Sequence, residues 1–305
     1  MADQLLRATA ADGGIRIVGT ITTALVDEAR QRHNLTYVGT AALGRAMSAG
    51  LLLVSSMKRE ESRINLRIKG DGPLGGVMVD AGLDGSVRGY VDDPTVELPP
   101  TESGKLNVGG AIGRNGYLYV VRDVGYGQPY SSTVELISGE IGEDLTYYLA
   151  TSEQTPSALA LGVHVDEKGV EASGGLLLQV MPKAARDESL ISLLESRMGL
   201  LADFTPKLRD NQTLPEIFES LVGDLGLAFL QENQTTDIRF HCPCTYDRML
   251  GALKMLGVDE LQDMIEKDDG AEATCHFCGQ VYQADSGKLA GLIDDINKQR
   301  SEAFN

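Results

Sequence analysis

The chain has 305 residues, 42% of them hydrophobic and 23% charged, with a formal net charge of −17 at pH 7. That length accommodates two or three domains of roughly 100–200 residues, and the apolar fraction is ample for a sizeable core. A surface this acidic repels phosphate backbones and anionic lipid, so neither nucleic acid nor a membrane surface is an expected partner.

Met1 to Gly14 lacks a basic stretch followed by an apolar one, so no signal peptide is expected and the chain reads as cytoplasmic. A helix is expected over Thr22 to Arg32. Val38 to Met57 (VGTAALGRAMSAGLLLVSSM) is long and apolar enough to suggest a membrane span. Arg45 near its middle would be costly in hydrocarbon, and no second span accompanies it, so it reads as a buried core helix rich in small residues. Arg63–Lys69 alternates as a half-buried strand does, and Tyr117–Val121 is aromatic and β-branched. Between them, Gly70-Asp-Gly-Pro-Leu-Gly75 matches the G-x-G-x-x-G of dinucleotide sites. Pro73 lies inside it, however, and Val77-Met-Val79 after it reads as strand rather than helix, so a hairpin turn is expected. A helix from Gly142 to about Thr151 precedes a strand in which Leu159, Leu161, Val163 and Val165 alternate with smaller or polar residues. Residues 1–183 therefore predict an α+β domain with a largely antiparallel sheet.

Residues 184–234 change to short amphipathic helices, a linker region with too little apolar mass for its own core. Leu190, Ile191, Leu193, Leu194 and Met198 mark one helical face. Thr213-Leu-Pro-Glu216 is a capping box opening a helix whose apolar side is Ile217, Phe218, Leu221 and Val222. These faces need a neighbouring domain to cover them.

Residues 235–305 hold all four cysteines as two tight pairs, Cys242-Pro-Cys244 and Cys275-His-Phe-Cys278. Thirty residues separate the pairs, and none of the first 241 residues is a cysteine. Four thiolates brought together by folding suit one tetrahedral metal ion, most naturally zinc. Two structural disulfides would need an oxidising compartment, which the N-terminus does not suggest. Ile238–Phe240 reads as a short strand, Tyr246–Leu256 as a helix stopped by Gly257, and a second helix starts at Asp259 with Gln262 in the capping-box position. Asp268–Gly270 is a turn. From Arg239 onward seven Lys/Arg stand against twelve Asp/Glu, the opposite of a nucleic-acid-binding zinc ribbon. About sixty residues with so little apolar mass fold poorly alone, so metal binding would supply most of the segment's folding free energy.

Other chemistries fit less well. An oxidoreductase C-x-x-C belongs at a helix start beside a parallel sheet, whereas Cys275–Cys278 sits in a turn. His241 and His276 flank thiols and could serve as alternative ligands, but four sulfurs already complete a closed site. Pro243-Cys244 resembles the zinc deaminases, yet no H-x-E supplies their proton shuttle. His33 and His164 read as structural or exposed. A four-thiolate zinc site is most often a staple, and a constitutive zinc-stapled enzyme or adaptor remains the competing reading. The same site can act as a switch, since oxidation of the ligands would remove the segment's main stabilising interaction beside poorly self-sufficient helices.

Several segments together favour the switch. The two cysteine pairs with Arg248, Ala252-Leu253 and Leu256-Gly257 between them, Ser138–Tyr148 running on to Ser152–Ser157, Gly174–Gln179 and Met181-Pro182 resemble the bacterial thirty-three-kilodalton heat-shock protein family over nearly the full length. That resemblance implies a non-enzymatic, redox-regulated chaperone, or holdase, of the stress response. Cys242, Cys244, Cys275 and Cys278 would hold one zinc in the reduced, inactive form. Hypochlorous acid, or peroxide with heat, would then form disulfides Cys242–Cys244 and Cys275–Cys278, release zinc and unfold the linker. The oxidised protein is expected to form a homodimer, bind unfolding client proteins and pass them to the seventy-kilodalton heat-shock system. It would do so without ATP, and no G-x-x-x-x-G-K-[ST] loop is present. Pro243 and His276, inside the pairs, would tune the oxidation rate.

Overall fold

The computed structural model describes residues 1–201, 203–230 and 235–303. These divide into two compact units, Met1–His241 and Cys242 onward. The first unit begins with a hairpin that sequence reading had not assigned, β1 (Gln4–Ala10) and β2 (Ile15–Ile21), followed by α1 (Thr23–His33) and α2 (Tyr37–Val54). Then come β3 (Arg63–Lys69), β4 (Val77–Gly82), β5 (Ser86–Val91), α3 (Val108–Ile112), β6 (Tyr117–Asp123), β7 (Tyr130–Glu135), α4 (Ile141–Thr151), β8 (Ser157–Asp166) and β9 (Gly169–Val180). Four short helices succeed them: α5 (Glu188–Ser196), α6 (Met198–Leu201), α7 (Phe204–Arg209) and α8 (Leu214–Val222). Three short strands close the unit: β10 (Ala228–Phe229), β11 (Thr235–Asp237) and β12 (Arg239–Phe240). Residues 231–234 of the expected linker and the side chain of Met198 lie outside what is described.

The single sheet expected is in fact two. One runs β10-β1-β2-β9-β8 with β11 also on β1, and the other runs β12-β5-β4-β3-β6-β7. All pairings are antiparallel except β12 with β5. The G-x-G-x-x-G segment is the β3–β4 connection, and Gly72 and Leu74 donate backbone N–H groups to Ile112 and Ala111.

Helix α2 lies in the main core, among Leu5, Val18 and Leu177 of the first sheet and Leu66, Val79 and Val120 of the second. The segment is apolar because 89% of it is buried between sheets, which a membrane span would not be. Its small residues permit close approach: a Cβ on Gly44 would meet Val26 Cγ1 at 2.7 Å and Val163 Cγ2 at 2.8 Å. Thr36 caps the helix by accepting from Gly39 N–H, and Arg45 Nη1 donates to Glu140 Oε2 at 2.5 Å.

The linker helices have a definite partner. Leu190, Leu201, Phe204, Leu208, Leu214, Ile217, Phe218, Leu221 and Val222 form a second core with Leu6, Ile15, Ile17, Ile21, Leu176 and Leu178, which lie on the face of the first sheet turned away from α2. β8 is half-buried, as its alternation predicts, but it packs against a core on each side, and every residue except Gly162 keeps partial exposure. Leu159, Leu161 and Val163 join the α2 core, and Ala158 and Ala160 join the linker core. Of the helices here α8 is the best specified: Thr213 Oγ1 accepts from Glu216 N–H, and the Glu216 carboxylate accepts from Thr213 N–H at 2.7 Å. Its Phe218 stacks on Phe229 with centroids 6.3 Å apart.

The second unit contains α9 (Tyr246–Leu256), α10 (Val258–Asp268), the hairpin β13 (Gly270–Thr274) and β14 (Val281–Asp285), and α11 (Ser286–Ala303). Its core is small: Met249, Leu253, Leu261, Ala284, Leu289 and Ile296. The expected capping box of α10 is absent. Gly257 is the N-cap with no side chain to offer, and Gln262 donates forward to Glu266 instead. A side-chain acceptor is required at the N-cap for Gln262 to complete such a box.

Candidate metal centre

Two backbone knuckles carry the cysteines. Cys242-Pro-Cys244 leads into α9, where Thr245 accepts from Arg248 N–H and Arg248 Nη1 reaches back to donate to the Pro243 carbonyl at 2.8 Å. That closes the first knuckle against its own helix. The second sits at the tip of the β13–β14 hairpin. Cys275 N–H donates to Gln280 O at 2.9 Å, while Cys278 and Gly279 N–H donate to Cys275 O at 3.3 and 2.8 Å. Gly279 adopts φ +70°, a left-handed conformation that a side chain would strain. The hairpin register Thr274↔Val281 sets the second knuckle at this tip, which the bare C-x-x-C spacing does not reveal.

The four sulfurs all lie within 4.8 Å of one another. Cys242 Sγ is 3.8 Å from Cys275 Sγ, and Cys244 Sγ is 3.3 Å from Cys278 Sγ. Tetrahedral coordination at a metal–sulfur distance of about 2.3 Å places ligand sulfurs about 3.8 Å apart. The separations therefore fit a four-thiolate metal site, and they exceed the roughly 2.05 Å of a disulfide. No disulfide joins any two of the four cysteines here. Neither His241 nor His276 joins this cluster of ligand atoms, and both are exposed.

Cys278 is buried, while the other three are partly exposed. Burial pushes the Cys275 and Cys278 thiols up, in both cases more than the N–H groups of Phe277 and Gln280, respectively, pull them down. Four buried or half-buried sulfurs at this spacing cannot all ionise beside one another without a cation, and a divalent metal supplies the missing charge. Tyr282 is a site residue that sequence reading missed. Its hydroxyl donates to Cys244 Sγ at 3.2 Å, and that bond pushes its own pKa up to about 12. No local pattern marks it, because only the β13–β14 register, with Tyr282 opposite Ala273, returns it to Cys244.

The sequence matches the family model described as Hsp33 protein over residues 3–285. It is 72% identical over 299 residues to the 33 kDa chaperonin of Gloeothece citriformis, covering 98% of this chain and 99% of that protein. The 33 kDa chaperonin of Synechocystis sp. is 68% identical over 302 residues, covering 99% of each. Among solved structures, the fold is similar to the crystal structure of the 33 kDa chaperonin (heat shock protein 33 homolog) from Thermotoga maritima, with a TM-score of 0.87, 34% sequence identity and coverage of 97% of this chain and 99% of that one.

Proposed function

This chain belongs to the Hsp33 family, a family of chaperones and not of enzymes, and from that premise we propose that it is a redox-regulated, ATP-independent holdase. The observation that carries the reading is the four-sulfur cluster, set in a unit with a six-residue buried core, in a chain whose linker helices cover an apolar sheet face. Cys242, Cys244, Cys275 and Cys278 would hold one zinc ion in the reduced state. When bound, zinc would keep the four sulfurs as thiolates and contribute most of the folding free energy of residues 242–303, about 10–16 kcal/mol in small thiolate sites.

Oxidation acts on the sulfurs. An oxidant such as hypochlorous acid or peroxide takes two electrons from each cysteine pair, and two S–S bonds form. Cys242 would pair with Cys244 and Cys275 with Cys278, each a neighbour along the chain. The oxidant leaves as chloride and water, or as water alone. A disulfide sulfur is a poor metal ligand, so the four-thiolate set is lost and the small core cannot hold the unit folded. Residues 184–234 would then leave the sheet. That would uncover Leu6, Ile15, Ile17, Ile21, Leu176 and Leu178, a contiguous apolar surface suited to unfolding clients. The buried α2 offers no such surface. We further propose a cytoplasmic location in oxidative and heat stress, a homodimer in the oxidised state, and transfer of clients to the seventy-kilodalton heat-shock system.

The test is light scattering from a heat-aggregating protein, with this chain added either reduced and zinc-loaded or oxidised by hypochlorous acid, while a chromogenic chelator reports zinc. Suppression by the oxidised form alone supports the switch. Zinc release without suppression makes the metal a staple and sinks it.

A further inference from the structure

The phenol of Tyr282 links the two cysteine knuckles directly. Tyr282 lies on β14, opposite Ala273 of β13, and its half-buried side chain packs against the small core of the second unit. From the strand that leaves the second knuckle it reaches a sulfur of the first, donating its hydroxyl to Cys244 Sγ at 3.2 Å. Its ring lies beside that of Tyr246, the first residue of α9, with centroids 6.5 Å apart and planes tilted by 50°.

The donors to the sulfurs differ in kind. Cys275 and Cys278 receive backbone N–H groups, from Phe277 and Gln280 respectively, which any residue but proline supplies. The donor to Cys244 is a side chain, which a single substitution removes. A hydrogen bond to a thiolate occupies a lone pair that would otherwise attack an electrophile, and the ionised acceptor makes that bond strong. Cys244 is partly exposed, so burial alone does not shield it.

We propose that Tyr282 positions and restrains the Cys244 thiolate, holding back its reaction with oxidants and other electrophiles in the metal-loaded protein. This rests on the four-thiolate reading of the site. With peroxide as the oxidant, the Cys244 sulfur gives an electron pair to one peroxide oxygen. An S–O bond forms, the O–O bond breaks and hydroxide leaves. The Cys242 thiolate then attacks that sulfur, so an S–S bond forms, the S–O bond breaks and a second hydroxide leaves. Two protons from solvent convert the hydroxides to water. The phenol slows the first attack, because that step draws on the lone pair it occupies.

The test is Tyr282→Phe in the reduced, full-length chain loaded with zinc, with metal content measured first. Phenylalanine keeps the ring and its packing on Tyr246 and loses only the hydroxyl. Limiting iodoacetamide followed by mass spectrometry reads the alkylation rate of each cysteine separately. Relative to Cys275, Cys244 should react about three- to tenfold faster than in the wild type, and Tyr246→Phe should leave that ratio unchanged. The proposal is overturned by an unchanged ratio in Tyr282→Phe, or by an equally large rise in Tyr246→Phe. An equal acceleration of all four cysteines also overturns it, by reducing the hydroxyl to a structural tie. Neither oxidant nor client is added, so failure of the holdase reading does not move this ratio. A chain that holds no zinc overturns both readings, and the metal measurement shows it.

Discussion

Gly19→Ala tests the docking of the linker with a single methyl group. Gly19 lies in the middle of β2, paired with Leu6 and Leu176, on the face beneath α8. A Cβ there would stand 2.8 Å from Phe218 Cε1 and 2.9 Å from Leu214 Cδ2. Both neighbours are fully buried, so neither ring nor leucine has room to retreat. Overpacking of this kind costs about 1–3 kcal/mol, which shifts a docking equilibrium about 5- to 150-fold. Alanine suits a strand better than glycine does, so the sheet itself is not weakened and the penalty falls on the docked helices. Limited proteolysis of the reduced, zinc-loaded protein measures the opened population when closing is faster than cleavage. Cleavage between residues 186 and 230 should rise by that factor, and the reduced variant should suppress client aggregation without oxidant. Unchanged cleavage would refute the packing argument. Faster cleavage without any suppression would refute the assignment of this sheet face as the client surface.

Other perturbations probe separate parts of the account. Cys278→Ser removes the most buried sulfur, and bound zinc, measured by atomic absorption, should fall well below one per chain while circular dichroism shows loss of helix from residues 246–303. Asp144, buried and raised above the ordinary carboxylate range chiefly by desolvation, accepts from Ile137 and Ser138 N–H groups through Oδ1 while Oδ2 has no partner. Asp144→Asn keeps the acceptor and should be tolerated, whereas Asp144→Ala should cost about 2 kcal/mol in urea unfolding by stranding two donors. A raised folded-state pKa means the native state holds the proton more tightly, so the wild type should lose ground against Asp144→Asn as pH rises from about 3.8 through that raised value. Thr213→Ala removes the N-cap of α8 and should destabilise that helix by about 1 kcal/mol, seen as faster amide exchange confined to residues 214–222.

The four-cysteine cluster was the most legible part of the chain, because two tight pairs of one residue type stand out at short spacing whatever lies between them. Core helix α2 was readable for a related reason: small residues around a single arginine fit a buried helix better than lipid. Long-range pairing was not legible. The β1–β2 hairpin places apolar residues on both faces, because the α2 core lies on one and the linker helices on the other, and Gln4, Arg7, Thr9, Arg16 and Thr20 are interspersed among them, so no clean alternation marks a half-exposed strand. β8 does alternate, but the alternation does not reveal that a core lies on each side. α11 could have been found, as Leu289, Leu292, Ile293 and Ile296 recur at helical spacing, and all four contribute to the second unit's core. Tyr282 required the hairpin register that returns it to Cys244, and no local pattern encodes that.

Hydrogen–deuterium exchange of the full-length chain, reduced with zinc against oxidised with hypochlorous acid, tests the central claim most directly, because one experiment reports on the metal unit, the linker and the sheet. The account predicts that oxidation abolishes protection in residues 242–303 and 186–230 while β2 and β9 stay protected in their ladder. If the linker keeps its protection after oxidation and zinc loss, the four cysteines do not control the apolar sheet face, and the switch mechanism is wrong.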